Sequence, residues 1–135
     1  MRVGIIAPPW VPVPPPAYGG IEAVLDNLAR GLQAAGEQVL LFTVHGSTCP
    51  VLKATARGRR HGGAPPGLDA PATELQHVVA AYEAMLAWGA DVVHDHTLIG
   101  PVHAARLPVP VVTTNHGPFE GTLDDCYRSI ARSVR

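Results

Sequence analysis

The stretch APPWVPVPPPAYGGIEAVL, residues 7–25, sets six prolines and a Gly-Gly pair between an apolar run and the start of a helical pattern. The apolar run before it, RVGIIA at residues 2–7, is β-branched and stops at proline. Such a run is typical of a strand that is buried on both faces. The proline loop and Gly19-Gly20 are therefore predicted to form the turn from the first strand into the first helix.

Beyond this turn the pattern becomes helical and then extended again. Residues 21–35 carry apolar side chains at helical spacing, and Gly36 supplies a stop signal. Residues 38–44, QVLLFTV, are a second buried strand. A strand, a helix and a strand within about 44 residues have the size of a parallel crossover unit.

The rest of the chain repeats the alternation of strand and helix. The predicted elements are a short strand near 51–56, a helix over 71–88 with Leu75, Val78, Val79, Tyr82 and Leu86 on or near one face, a strand at 91–96, a short helix near 99–106, a strand at 109–116 and a last helix from 121 onward. This order predicts an α/β fold, a Rossmann-like three-layer domain with a mostly parallel sheet.

Composition narrows the class of protein. The 135 residues suit one domain, and 47% of them are apolar, enough for a core. The net charge of −1 argues against a nucleic-acid binder. Cys49 and Cys126 are far apart and indicate free thiols in a reducing compartment. No apolar run approaches the roughly 20 residues of a membrane span, so a cytoplasmic location is expected.

Three unusual segments follow predicted strands, where open parallel sheets bind their ligands. They are the proline loop with Gly19 and Gly20, the HDH segment at 94–96, and TNHGPFEG at 114–121. Carboxyl ends of parallel strands meet at one edge of the sheet. The three segments are therefore expected to converge on one site.

Each segment admits a functional and a structural interpretation. Bare backbone N–H groups at Gly19 and Gly20 suit an anion, although a tight turn also needs glycine. His94 and His96 alternate along a strand and point to one face, with Asp95 on the other. A metal held with His116 is disfavoured, because no carboxylate or cysteine spacing supports it. His116 suits contact with a ligand hydroxyl, or it caps a loop.

Two further features are weaker. The basic run at Arg57, Arg59 and Arg60 suits phosphate or an acidic membrane surface, although such a run is more often a solvated loop. Trp10 and Tyr18 flank the proline loop and either stack on a ligand or pin the loop to the domain.

Taken together, the motifs resemble the N-terminal, acceptor-side domain of GT-B-fold retaining glycosyltransferases of family 4. The opening strand, the proline loop, Gly-Gly and the following helix match the start of that family, with Glu37 where histidine is common. DVVHDH at 91–96 matches its D-[VI]-[VI]-H-x-H pattern, and TTNHG at 113–117 matches its T-x-H segment. The motifs occur in the family's order over nearly the whole chain.

The resemblance implies a role for each motif. Gly19 and Gly20 would face the diphosphate of a nucleotide-sugar donor. His116 would contact the transferred sugar at its 6-hydroxyl as the catalytic residue, in a reaction that retains configuration and uses no metal or cofactor. The acceptor is unknown. The residues expected at the acceptor side or around the cleft are Tyr18, Glu22, His94, His96, Thr114 and Asn115.

The chain also departs from the family. It has neither the C-terminal nucleotide-sugar domain nor that domain's Glu-x7-Glu segment, and its last helical pattern stops without a cap. Residues 1–135 are thus expected to be a truncated N-terminal domain, inactive alone. The alternatives are a non-catalytic Rossmann-like module that binds a phosphorylated metabolite or a partner subunit, and a different enzyme of related architecture such as a sugar-nucleotide epimerase.

Overall fold

The computed structural model describes residues 1–56, 69–118 and 120–131. Strands and helices follow one another along these residues in the order that the sequence predicts. The elements are β1 (Arg2–Ile6), α1 (Gly20–Ala34), β2 (Gln38–Phe42), β3 (Leu52–Ala54), α2 (Asp69–Trp88), β4 (Val92–Asp95), α3 (Gly100–Ala104), β5 (Val111–Thr113) and α4 (Gly121–Ala131).

The five strands form one parallel sheet in the order β3-β2-β1-β4-β5. The first strand, β1, lies in the middle of this sheet. β2 and β3 follow on one side of it, and β4 and β5 lie on the other side. β1 is consequently flanked by β2 and β4, and its partners in register include Ile5 with His94 and Ile6 with Asp95. The predicted α/β fold is confirmed, with a sheet that is parallel throughout.

Two apolar clusters hold the layers together, one on each face of the sheet. On one face α1 packs through Leu25 and Ala29 onto Ile5 and Leu41. On the other face α2 and α3 cover a second cluster, whose larger members are Ile6, Phe42, Val78, Tyr82, Met85 and Val93. Burying one aliphatic side chain of this size contributes roughly 1.5–3 kcal/mol. The central strands are thus buried on both sides, as their continuous apolar runs predict.

Glycines flank the first helix on both sides. Gly19 is the N-cap of α1, and Gly36 follows the helix with φ of 90°. This left-handed backbone favours glycine, and the amide of Gly36 donates to the carbonyl of Gln33 at 3.0 Å. The predicted stop at Gly36 is confirmed.

The inner face of α2 differs from the predicted one. Val78 and Tyr82 are buried as expected, but Leu75 and Leu86 are 50% and 40% exposed. Ala81 and Met85 occupy the inner face instead. The helix lies so close to β1 that a Cβ atom on Gly4 would overlap the sulfur of Met85. Small residues and a flexible thioether allow this approach, which bulky leucines would prevent.

Three further sequence predictions concern the basic run, membrane spanning and the cysteines. The run of Arg57, Arg59 and Arg60 lies outside the described residues. Within the described ranges, no helix is long and apolar enough to cross a membrane. Cys49 and Cys126 are both unpaired thiols, and burial raises the pKa of Cys49 to about 11.

Candidate functional site

A cleft of about 240 Å³ opens at the carboxyl edge of the sheet. Its walls come from the loops after β1, β4 and β5, together with the first turn of α1 and the second turn of α2. The lining residues are Pro8, Trp10, Ile21, Glu74, His96, Thr97, Leu98, Asn115, His116 and Gly117. The three segments picked out in the sequence therefore meet at one cleft, as expected for strands that all run in the same direction.

His94 and His96 leave β4 on the same side. Their ring centroids are 4.1 Å apart, and the carboxylate of Asp95 points to the opposite face, where it meets Tyr82. This alternation agrees with the prediction for a strand. His94 is half-buried behind His96, and its Nε2 lies 2.8 Å from the Oγ1 of Thr114. Thr114 thereby links the end of β5 to the end of β4.

On its other side, His96 contacts His116. We call His94, His96 and His116 together the histidine stack. Nδ1 of His96 lies 2.8 Å from Nε2 of His116, and their ring centroids are 5.1 Å apart. His96 is only 5% exposed, whereas His116 is exposed at the mouth of the cleft. Nε2 of His96 is buried and has no hydrogen-bond partner within the described part of the chain.

The surroundings keep the inner part of the stack uncharged. Burial, together with smaller contributions from the neighbouring His94 and His116, lowers the pKa of His96 to about 3. Burial also lowers the pKa of His94, against the opposing influence of Asp95. Both imidazoles are therefore neutral at neutral pH. A neutral ring has one donor and one acceptor nitrogen, so hydrogen bonds decide which nitrogen holds the proton.

On the other face of β4, Asp95 forms the centre of what we call the acidic network, Asp95, Tyr82 and Thr97. Oδ2 of Asp95 accepts from the Tyr82 hydroxyl at 2.7 Å. Oδ1 accepts from the amide and the hydroxyl of Thr97 at 2.8 and 2.7 Å. Burial raises the pKa of Asp95, and these donors counteract part of that effect. The network fixes the turn that carries His96 into the cleft.

Glu74 and His77 on α2 also hold the site, and the sequence reasoning missed both. Glu74 lines the cleft, and its Oε1 accepts from the amide of Leu98 at 2.6 Å. His77 lies 2.9 Å from the carbonyl oxygen of Ala7, at the end of β1. Glu74 lies one helical turn before the buried Val78, and His77 lies one turn before the buried Ala81. That spacing was the signal by which they were detectable.

Gly19 and Gly20 have different surroundings. A Cβ atom on Gly19 would lie 2.5 Å from Cβ of Pro15 and 2.9 Å from Oε2 of Glu22, so packing excludes a side chain there. A Cβ atom on Gly20 would have no neighbour within 4 Å among the described residues. Glu22 is buried behind this turn. The exposed Gly20 precedes Ile21, which lines the cleft.

Some of the remaining predicted residues line the cleft and others do not. Asn115 lines it and stabilises its own turn, since Oδ1 accepts from the amide of Gly117 at 3.1 Å. Trp10 forms part of the wall. Tyr18 is 97% exposed, so it does not pin the proline loop to the domain. A role for Tyr18 in binding stays a prediction.

Two other features bear on what the cleft binds. Among residues 1–56, 69–118 and 120–131, no group of three or more histidine, cysteine, aspartate or glutamate side chains is arranged to hold a metal ion. A larger groove of about 720 Å³ lies between α3, β5 and α4, and its lining includes none of the predicted site residues. The chemistry-bearing side chains thus converge on the smaller cleft.

Solved structures with a similar fold include two whose whole chains are much longer. Sucrose-phosphate synthase from Thermosynechococcus elongatus aligns with a TM-score of 0.57 at 16% identity, over 87% of this chain and 33% of that one. MurG from Acinetobacter baumannii aligns with a TM-score of 0.56 at 20% identity, over 99% of this chain and 39% of that one. The present chain thus spans between a third and two-fifths of these structures, and the likeness supports the GT-B Rossmann-like fold.

Sequence comparison is more specific. No curated protein matches the chain. The family model described as Glycosyltransferase Family 4 matches residues 18–135, which include Gly19, Gly20, the histidine stack and the turn after β5. With most of its length, the Gly-Gly pair and both histidine motifs inside that match, the chain belongs to glycosyltransferase family 4.

Proposed function

We propose that this chain is the N-terminal, acceptor-side domain of a glycosyltransferase that transfers a sugar from a nucleotide-sugar donor to an acceptor with retention of configuration. The observation that supports this most is the meeting of Ile21, which directly follows the bare Gly20, with His116 at one cleft in a chain of this family. An anion site beside an exposed imidazole suits a sugar diphosphate, which carries charge and hydroxyl groups together.

The start of α1 is the proposed diphosphate contact. α1 is 15 residues long, and the amides of its first turn have no partner within the helix. These amides carry a partial positive charge that stabilises an anion, including the charge that develops on a leaving diphosphate. The open space around Gly20 allows a phosphate to approach the backbone. Gly19 acts indirectly, by permitting the tight packing of Pro15 behind it.

His116 is the proposed catalytic residue. It is exposed at the cleft, so a sugar hydroxyl, proposed here as the 6-hydroxyl, has access to its ring. Its partner His96 is buried and fixed, which orients the imidazole before a ligand arrives. Such preorganised positioning supplies a large part of the catalysis in group transfer. His94, Thr114 and Asn115 support this arrangement from behind and beside the ring.

We further propose that a second domain completes the site. The chain covers 33% and 39% of the two longer structures that it resembles. In this proposal the missing domain binds most of the nucleotide sugar, the acceptor enters beside Trp10, and residues 1–135 alone have little or no transfer activity. The two unpaired thiols support a cytoplasmic location. Any contact of Arg57, Arg59 and Arg60 with a membrane surface remains part of the proposal.

The decisive experiment is a transfer assay on residues 1–135 alone and on the protein with its second domain, using a panel of nucleotide sugars. We expect turnover only with both domains, and NMR of the product to show the anomeric configuration of the donor. Substantial turnover by residues 1–135 alone would overturn the half-site proposal. Inverted product would overturn retention.

Variants of the two-domain protein test the residue roles. His116→Ala is expected to lower kcat/KM by about a hundredfold, the effect of losing one preorganised donor. Gly20→Ala is expected to lower it as well, because a methyl group blocks the approach of a phosphate. His45→Ala, at an exposed loop position outside the cleft, is the matched control. Metabolite binding without turnover by the two-domain protein would favour the non-catalytic module instead.

A further inference from the structure

We infer that His96 is a positioning residue that fixes the tautomer of His116, so that His116 presents its Nδ1–H to the cleft as a hydrogen-bond donor. The inference rests on the proposed function only for the use of that donor. The tautomer itself follows from the hydrogen bonding and burial of the histidine stack.

The contact between the two rings requires one proton. Nδ1 of His96 and Nε2 of His116 are 2.8 Å apart, a hydrogen-bond distance. One of these nitrogens therefore donates and the other accepts. Two arrangements of neutral rings satisfy the contact. Either His96 donates from Nδ1, or His116 donates from Nε2.

The buried end of His96 distinguishes the two arrangements. If His116 were the donor, the proton of His96 would sit on Nε2, a buried atom without an acceptor in the described chain. An orphaned N–H group in the interior is rarer and costlier than an unpaired acceptor lone pair. If His96 donates from Nδ1, only a lone pair is left unpaired. Donation from Nδ1 of His96 is therefore favoured, and neutral His116 then carries its proton on Nδ1.

Neighbouring contacts hold the His96 donor in a fixed direction. The backbone amide of His96 donates to the carbonyl of Ile6 at 3.1 Å. The ring of His94 packs against it with centroids 4.1 Å apart, and Thr114 holds His94 in turn. On the far side of β4, the acidic network fixes the turn. The exposed His116 thus meets a rigid partner, and this partner selects its tautomer.

The consequence is a defined polarity for the ligand. A Nδ1–H group donates to an oxygen lone pair, so the cleft would bind a sugar hydroxyl or phosphate oxygen that accepts at this point. A ligand atom that can only donate would leave two donors facing each other, which costs binding energy. In the proposed reaction, His116 then stabilises negative charge on an oxygen, and does not serve as a base in its neutral state.

Long-range ¹H–¹⁵N NMR of the ¹⁵N-labelled chain without ligand reads the tautomer directly. The spectra are recorded at about pH 8, above the pKa of about 6.5 of a free histidine. We expect protonation at Nδ1 in the wild type. His96→Leu removes the donor, and we expect His116 to shift to the Nε2–H tautomer that free neutral imidazole prefers. His96→Asn retains an amide donor near the position of Nδ1 and should restore the wild-type signal.

Thr114→Val is the matched control, because it removes the partner of His94 but leaves the His96–His116 contact in place. It is expected to keep the Nδ1–H signal of His116. Protonation of wild-type His116 at Nε2 would overturn the inference, even if His96→Leu fails to fold. An unchanged Nδ1–H signal in a folded His96→Leu variant would also overturn it. Because the measurement needs no ligand, it stands independently of the transfer assay.

Discussion

Two groups of polar side chains leave the end of β4 in opposite directions, and they differ in how completely they are satisfied. In the acidic network, both carboxylate oxygens of Asp95 accept hydrogen bonds, and the residue is fully buried. In the histidine stack, a buried nitrogen of His96 has no partner in the described chain, and the last ring is exposed. Asp95 and His96 are adjacent in the chain, yet Asp95 has all its hydrogen bonds made, which we call closed, and His96 does not, which we call open.

The difference separates support from function. A buried network in which every polar group is hydrogen-bonded stabilises one conformation and has no group left to bind a ligand. An incompletely satisfied group beside a cleft retains hydrogen-bonding capacity, which a ligand can use. Polar residues at the end of a strand are therefore better judged by their remaining hydrogen-bonding capacity than by their type.

The largest expected effect comes from breaking the closed network. Asp95→Ala removes the acceptor of the Tyr82 hydroxyl and of two Thr97 donors. The free energy of unfolding should fall by about 3 kcal/mol or more, since each buried unsatisfied group costs about 1–3 kcal/mol. Asp91→Ala, an exposed aspartate that accepts from the amide of Arg2, is the control and should cost at most about 1 kcal/mol. Urea unfolding measures both, and equal losses would refute the contrast.

The same contrast between closed and open surroundings applies to the adjacent glycines of α1. Gly19→Ala forces a methyl group onto Pro15 and should lower the free energy of unfolding by about 2 kcal/mol. Gly20→Ala enters open space and should change it by less than about 1 kcal/mol. Thermal unfolding of the two variants tests this. A larger loss for Gly20→Ala would show that the space beside it is not open.

The smallest expected effect within one pH unit is a change in the pH dependence of stability, caused by the buried His77. Burial lowers the pKa of His77 to about 4, while its bond to the Ala7 carbonyl partly offsets this. The unfolded state binds more protons between about pH 6.5 and 4, so the contribution of neutral His77 is complete above about pH 6.5. This contribution is lost as the pH falls through that range.

Urea unfolding of wild type and His77→Gln across that pH range measures this effect. The glutamine retains an amide donor but does not titrate. The stability advantage of the wild type should shrink on acidification, by at most about 1.4 kcal/mol per pH unit. Groups common to both proteins, such as Asp95, cancel in the difference. An advantage that stays constant from neutral to acid pH would show that His77 is not the titrating group.

The order of elements was predictable because buried parallel strands are continuous apolar runs and the helices between them are periodic. The side of β4 on which His94 and His96 lie followed from alternation alone. The inner face of α2 could not be predicted in this way, because α2 carries apolar residues on more than one side. The close approach of Gly4 then favours Met85 over Leu86 at the sheet. That approach is a tertiary property without a local signal.

The site was predictable in position and less so in its contacts. Loop convergence follows from the direction of the strands, and it brought the loops of His96 and His116 together. The contribution of Glu74 was missed, because a glutamate in a helix is usually exposed, and this one is buried by accepting from the Leu98 amide of another loop. Such a partnership depends on a sequence separation of 24 residues that no local pattern encodes.

The tight packing of Met85 against Gly4 supplies a built-in reporter of helix motion. The thioether is fully buried, so an oxidant reaches it only when α2 separates from β1. Glu74 lies about 16 Å away along the same helix, where it holds the loop at Leu98. Sulfoxide formation in dilute peroxide, followed by mass spectrometry, therefore records how often the wall of the cleft loosens, and a bound ligand that steadies that wall would slow the oxidation.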